Sequence, residues 1–141
     1  MKSSLGSMHK EFPNPRQLTP RERAVLDALL EPEFPGADEL RSQAAEVLVG
    51  DTCRCGCASI DFAQPPATLG MRVLTEAILK DNSGAMILAT QQTAATDLEV
   101  LYGIECFWYD GSSMTELPAP DAFDVRVCDP EEGDVRADWG P

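Results

Sequence analysis

The 141 residues carry 24 acids against 11 Lys and Arg, a net charge of −13, and 43% of them are hydrophobic. A chain of that size buries roughly two-thirds of its unfolded surface without metal or disulfide, and its composition excludes a wholly disordered chain and a coiled coil, while a polyanion repels phosphate backbones, so nucleic-acid binding is disfavoured. The longest apolar run, Ala85–Ala89, falls far short of the roughly 20 residues a membrane helix needs, so no membrane association is expected.

In chain order, Gly6-Ser7-Met8 reads as a cloning junction, and Pro13 and Pro15 interrupt any period in the residues after it. Residues 1–18 are therefore expected to be a tag remnant and a mobile arm. The first residues hold no apolar signal segment, which points to a cytoplasmic protein with reduced thiols. Thr19-Pro20-Arg21-Glu22 predicts a helix start. The Thr19 hydroxyl can accept from the Glu22 amide, the Glu22 carboxylate can reach back to the Thr19 amide, and Pro20 stands where a missing N–H costs nothing. Glu22 is expected to matter less than Thr19, since its donor can turn to water. Val25, Leu26, Leu29 and Leu30 give an apolar stripe, ended by Pro32 and Pro35. A second helix is predicted over 37–45, with Asp38 and Glu39 in its first turn and Leu40 and Ala44 facing inward.

Strands come next. Residues 46–50 and 58–62 flank a cysteine-rich segment, and 71–80 and 85–92 are joined by the turn Asp81-Asn82-Ser83-Gly84. Over 97–109 the alternation assigns Leu98, Val100, Tyr102, Ile104, Cys106 and Trp108 to the core face. Asp97, Glu99, Leu101, Glu105, Phe107 and Tyr109 then fall on the opposite face, and Gly103 marks an expected bulge or bend. Residues 123–128 give a last, edge strand. Helices first and strands after predict an α+β fold, with one or two N-terminal helices packed on a meandering, mostly antiparallel sheet. This single domain is expected to span 19–128. Residues 129–141, with five acids and one base, read as an acidic tail.

The run Phe34-Pro35-Gly36-Ala37, then Leu40-Arg41 and Gln43, then Cys53-Arg54-Cys55-Gly56-Cys57-Ala58-Ser59-Ile60-Asp61 resembles small uncharacterised bacterial proteins that carry a similar "FPGA…LR.Q…C.CGC.S.D" pattern. Leu98-Glu99-Val100, Trp108-Tyr109-Asp110 and Glu116-Leu117-Pro118 resemble their C-terminal half. The resemblance spans residues 19–125 and implies no particular activity.

Three features bear on function. Cys53, Cys55 and Cys57 are closely spaced thiols. Alternate residues of an extended strand lie about 6.5–7 Å apart, too far for one metal, but a tight turn at Gly56 would draw two of them together, with Cys106 or Cys128 completing the set. The paired CxxC spacing of common zinc sites is missing, so no cofactor is expected, and zinc on Cys53, Cys55 and Cys57 is the alternative. The single histidine, His9, falls in the arm, which leaves no Cys–His dyad or serine triad, and no enzymatic activity is expected. Finally, 13 acids and only two bases lie after residue 80. Phe107 and Tyr109 among acids, with Asp97, Glu99, Leu101 and Glu105, suit docking of a basic protein partner. The leading expectation is a non-catalytic, immunity- or antitoxin-like inhibitor of a basic partner such as a toxin, and the alternative is a cysteine-based metal-binding or thiol regulatory domain.

Overall fold

The computed structural model describes residues 14–64, 71–92 and 99–128. The expectations for most of the arm, for His9, Asp97 and Leu98 and for the acidic tail lie outside these residues. Two helices, α1 (Pro20–Leu29) and α2 (Ala37–Glu46), precede six strands: β1 (Val49–Thr52), β2 (Ile60–Phe62), β3 (Met71–Leu79), β4 (Gly84–Gln92), β5 (Glu99–Trp108) and β6 (Phe123–Val127). The strands form one antiparallel sheet in the order β1-β2-β5-β4-β3-β6. Its centre, β3-β4-β5, is the predicted meander. The β1-β2 hairpin adds to β5, and β6 returns to the far edge beside β3. Among the described residues no helix is long and apolar enough to cross a membrane.

The predicted capping box begins α1. The Glu22 amide donates to Thr19 Oγ1 at 3.1 Å, and the Thr19 amide donates to Glu22 Oε1 at 2.9 Å. Arg16 then places its guanidinium across the same carboxylate, at 2.8 and 2.9 Å. Arg16 also exchanges both backbone hydrogen bonds with Val49 (2.9 and 2.8 Å), so the last residues of the expected arm belong to the sheet edge. Glu22 is only 9% exposed. Burial alone would raise its pKa, but Arg16 and Thr19 outweigh it and hold the carboxyl below its ordinary range. This reverses the expected ranking. Thr19→Ala should cost about 1 kcal/mol, and Glu22→Ala, which strips charged hydrogen bonds, about 1–3 kcal/mol. Thermal melts of the two variants check the order.

Arg41 of α2 ties the helices together. Its side chain donates to the carbonyls of Leu30 (2.8 Å) and Pro32 (2.9 Å), partnering carbonyls at and just beyond the end of α1. Both helices pack on one sheet face. Val25, Leu26, Leu29, Leu40 and Ala44 meet Leu74, Met86, Leu88, Leu101 and Ile104 there in one core.

β5 departs from strict alternation. Thr90 pairs with Leu101 and Ala89 with Gly103, so Tyr102 is an extra residue in the ladder. The irregularity expected at Gly103 thus falls one residue earlier. It inverts the faces N-terminal to it, because a bulge resets the period of two. Leu101, expected on the outer face, is 0% exposed in the core. Glu99 shares its face, because Leu88, Thr90 and Gln92, two residues apart on β4, lie opposite Ile104, Leu101 and Glu99. Gly103 has a separate reason to be glycine: a Cβ there would lie 2.6 Å from the Ile60 carbonyl oxygen.

β2 pairs with β5 only at Ile104 and Gly103. Gln43 of α2 serves the backbone beyond: its side-chain amide donates to the Glu99 carbonyl (2.8 Å), and its oxygen accepts from the Leu101 amide (3.0 Å). The Glu99 carboxylate accepts from Nε and Nη2 of Arg72 and from the Thr90 hydroxyl. Burial opposes its ionisation, but these donors prevail and its pKa lies below the usual carboxyl value. The pair therefore stabilises the fold above about pH 4.5, the ordinary value, and that stabilisation is lost as pH falls through the lower folded value. Glu99→Gln should lower the melting temperature at pH 7, and its difference from wild type should shrink below about pH 4.

Candidate functional site

The thiol segment is the connection from β1 to β2. A chain leaving one strand and entering its antiparallel neighbour must reverse, and Gly56 permits it with φ +92°. The Gly56 amide donates to the Cys53 carbonyl at 3.2 Å, closing the turn. The reversal draws in all three thiols, beyond the two expected: the sulfurs of Cys53, Cys55 and Cys57 lie within 4.8 Å of one another. Cys55 is exposed, and Cys53 and Cys57 are half-buried.

The backbone serves each sulfur in the same way. The Cys55 amide donates to Cys53 Sγ and the Cys57 amide to Cys55 Sγ, each at 3.4 Å. The Ser59 amide and hydroxyl serve Cys57. Every sulfur thus receives an N–H from two residues onward. Cys57 and Cys53 shift in opposite directions. Burial opposes the ionisation of Cys57, yet the Ser59 donors and the other two thiols bring it down to about 7. Cys53 is pushed up to about 11, chiefly by its interaction with the Cys55 thiol. Cys57 therefore ionises before Cys53.

Cys106 lies on β5 just beyond the end of β2. Extending the Ile60–Ile104 register by two residues sets it opposite Ala58. Its amide donates to Ser59 Oγ at 3.0 Å, and that oxygen lies 3.6 Å from its sulfur. Its pKa is raised, first by burial and also by the neighbouring Cys57 thiol. Cys128 sits elsewhere. It follows β6 at the opposite sheet edge, four strand spacings or about 19 Å from β2, and packs with Val73 and Ile87 on the face away from the helices.

A cleft of about 420 Å³ adjoins Cys57, with Thr19, Arg21, Glu22, Ser59 and Glu116 among its walls. Its cations are engaged: Arg16 holds Glu22, and Arg21 donates to the Leu117 carbonyl at 2.8 Å.

The predicted docking residues divide. Glu105 and Phe107 pair with Ile87 and Ala85 on the face opposite the core, and none of the described helices packs there. Phe107 and Tyr109 are 39% and 52% exposed, their rings 5.9 Å apart and tilted by 58°. Leu101 and Glu99 point to the other side, because the bulge at Tyr102 inverts that part of the strand. What alternation missed was signalled by Gln43 and Arg72 only in three dimensions. Comparison with known proteins adds no relative: no family model, no curated protein and no solved structure matches the chain.

Proposed function

We propose that this chain is a non-catalytic thiolate metal-binding domain in which Cys53, Cys55 and Cys57 hold one zinc ion. One observation carries the reading: three sulfurs gathered within 4.8 Å by a glycine turn, two of them accepting backbone amide hydrogens at 3.4 Å and the third served by Ser59. Buried core packing explains neither the exposure of Cys55 nor a donor for each sulfur. Thiolates are soft ligands that select zinc, copper(I) or iron–sulfur clusters, and zinc suits a compact tetrahedral set. Bound there, zinc would tie the β1–β2 loop into a rigid corner at the sheet edge. Protein purified with reductant should contain about one zinc per chain, and Cys53→Ser, Cys55→Ser and Cys57→Ser should each reduce it to about a tenth or less. Arg54→Ala, between two ligands, should retain it. A wild-type chain that carries no zinc and takes none from solution overturns the reading.

The exposed aromatic pair favours a second reading, docking of a basic protein as an immunity or antitoxin-like inhibitor would. Phe107 and Tyr109 stand with Glu105 on a face that none of the described helices covers, in a protein with a net charge of −13. Aromatic anchors set dissociation, and the acids set association. Glu99 is engaged by Arg72, and Asp124 of β6 stands in the same cross-strand row as Phe107, through Ile78 and Ala85, so Glu105 and Asp124 are the acids to neutralise. Against an immobilised lysine-rich peptide, Glu105→Gln with Asp124→Asn should slow association several-fold at low salt, and Tyr109→Ala should speed dissociation. Kinetics indifferent to both changes and to salt would remove this reading.

A further inference from the structure

Structural zinc closes with four protein ligands, and the β1–β2 loop supplies three. We propose that Cys106 of β5 is the fourth, making a four-thiolate centre that fastens the loop to the middle of the sheet. This inference rests on the metal reading above.

Two of the described cysteines lie outside the loop, Cys106 and Cys128, and their places in the sheet separate them. Cys106 stands opposite Ala58, where the thiol loop enters β2; its sulfur lies outside the group of three that are within 4.8 Å of one another, so it must turn toward them to complete the set, and Cys57 is the loop thiol that it feels. Its other polar neighbours are weak: the Met114 carbonyl oxygen at 3.8 Å and Ser59 Oγ at 3.6 Å. A thiol 7% exposed with only long contacts gives up little on turning to a metal. Ser59 has the placement of a supporting residue. It accepts the Cys106 amide and donates to Cys57, so one side chain sets the spacing of two sulfurs, as groups just outside a ligand set commonly do. Cys128 is excluded by its position at the far sheet edge.

The consequence differs from that of a three-thiolate site. With Cys106 as ligand the metal is closed to solvent on its inner side and links residues of the loop and β5 that are about fifty positions apart in the chain. Without it, water or another outside donor takes the fourth position, and the metal is open to exchange.

The full-length reduced chain, loaded anaerobically with cobalt(II) and separately with zinc, tests this. X-ray absorption on the zinc form should give four sulfur neighbours. In the cobalt form Cys106→Ser should lower the sulfur-to-cobalt charge-transfer intensity by about a quarter, one bond of four, and weaken zinc binding at least about tenfold. Cys128→Ser should change neither. The absorption measurement uses the wild-type protein, so it decides even if Cys106→Ser fails to fold. Three sulfurs with one oxygen or nitrogen in the wild type overturns the role of Cys106 while leaving the loop site intact. A wild type that binds neither metal overturns the loop site as well.

Discussion

Zinc should raise the melting temperature of the reduced, metal-stripped protein by on the order of 10 °C when present at about a hundred times its dissociation constant. A ligand that binds only the folded state contributes about 2.7 kcal/mol at that excess, and a domain of this size gains roughly 4 °C per kcal/mol. Cys53, Cys55 and Cys57 lie in a loop whose order depends on one glycine turn and a few backbone bonds, so the unfolded chain would offer no preformed site to compete. Cys55→Ser should abolish the shift while leaving the metal-free melt nearly unchanged, because Cys55 is exposed and packs against nothing in the core. Calorimetry with and without zinc gives both numbers. A shift of equal size in Cys55→Ser would show that zinc acts elsewhere.

Leu101→Ala should destabilise the protein by about 2–5 kcal/mol, the usual cost of emptying a buried leucine site. Strict alternation along β5 assigns Leu101 to an exposed face, where the same change would cost about 0.5 kcal/mol or less. The bulge at Tyr102 separates these outcomes, since it turns Leu101 into the core beside Ile104 and Leu88. Glu105→Ala, on the opposite face, should stay near the smaller figure. Urea unfolding of the two variants side by side measures the difference, and equal effects would mean that the register of β5 is not the one described.

These contrasts mark how far the sequence was legible. Local signals carried well: the Thr19 cap, the proline ends of α1, the turn at 81–84 and the order of two helices and six strands. Each depends on neighbours within a few positions. The phase of β5 did not carry, because one extra residue inverts a period-two pattern and nothing nearby in sequence announces it except a glycine one place away. The partners of Glu99 did not carry either. Arg72 and Gln43 reach it from β3 and α2, 27 and 56 positions distant. For the thiols, the spacing raised the idea of a metal, and extended-strand geometry argued against it. What gathers the three sulfurs is Gly56, whose positive φ converts an extended segment into a tight turn. Cys106 was visible as a candidate beside Cys128, and the strand order separates the two.

The most direct measurement for the metal-binding account is a competition titration. Reduced, metal-free protein is added to zinc held by a chromogenic chelator, in the absence of oxygen. The account predicts that the chain strips one equivalent of zinc from the chelator with a sharp end point, and that Cys53→Ser, Cys55→Ser and Cys57→Ser each fail to compete. A wild-type chain that leaves the zinc with the chelator, or three serine variants that compete as well as wild type, would contradict it.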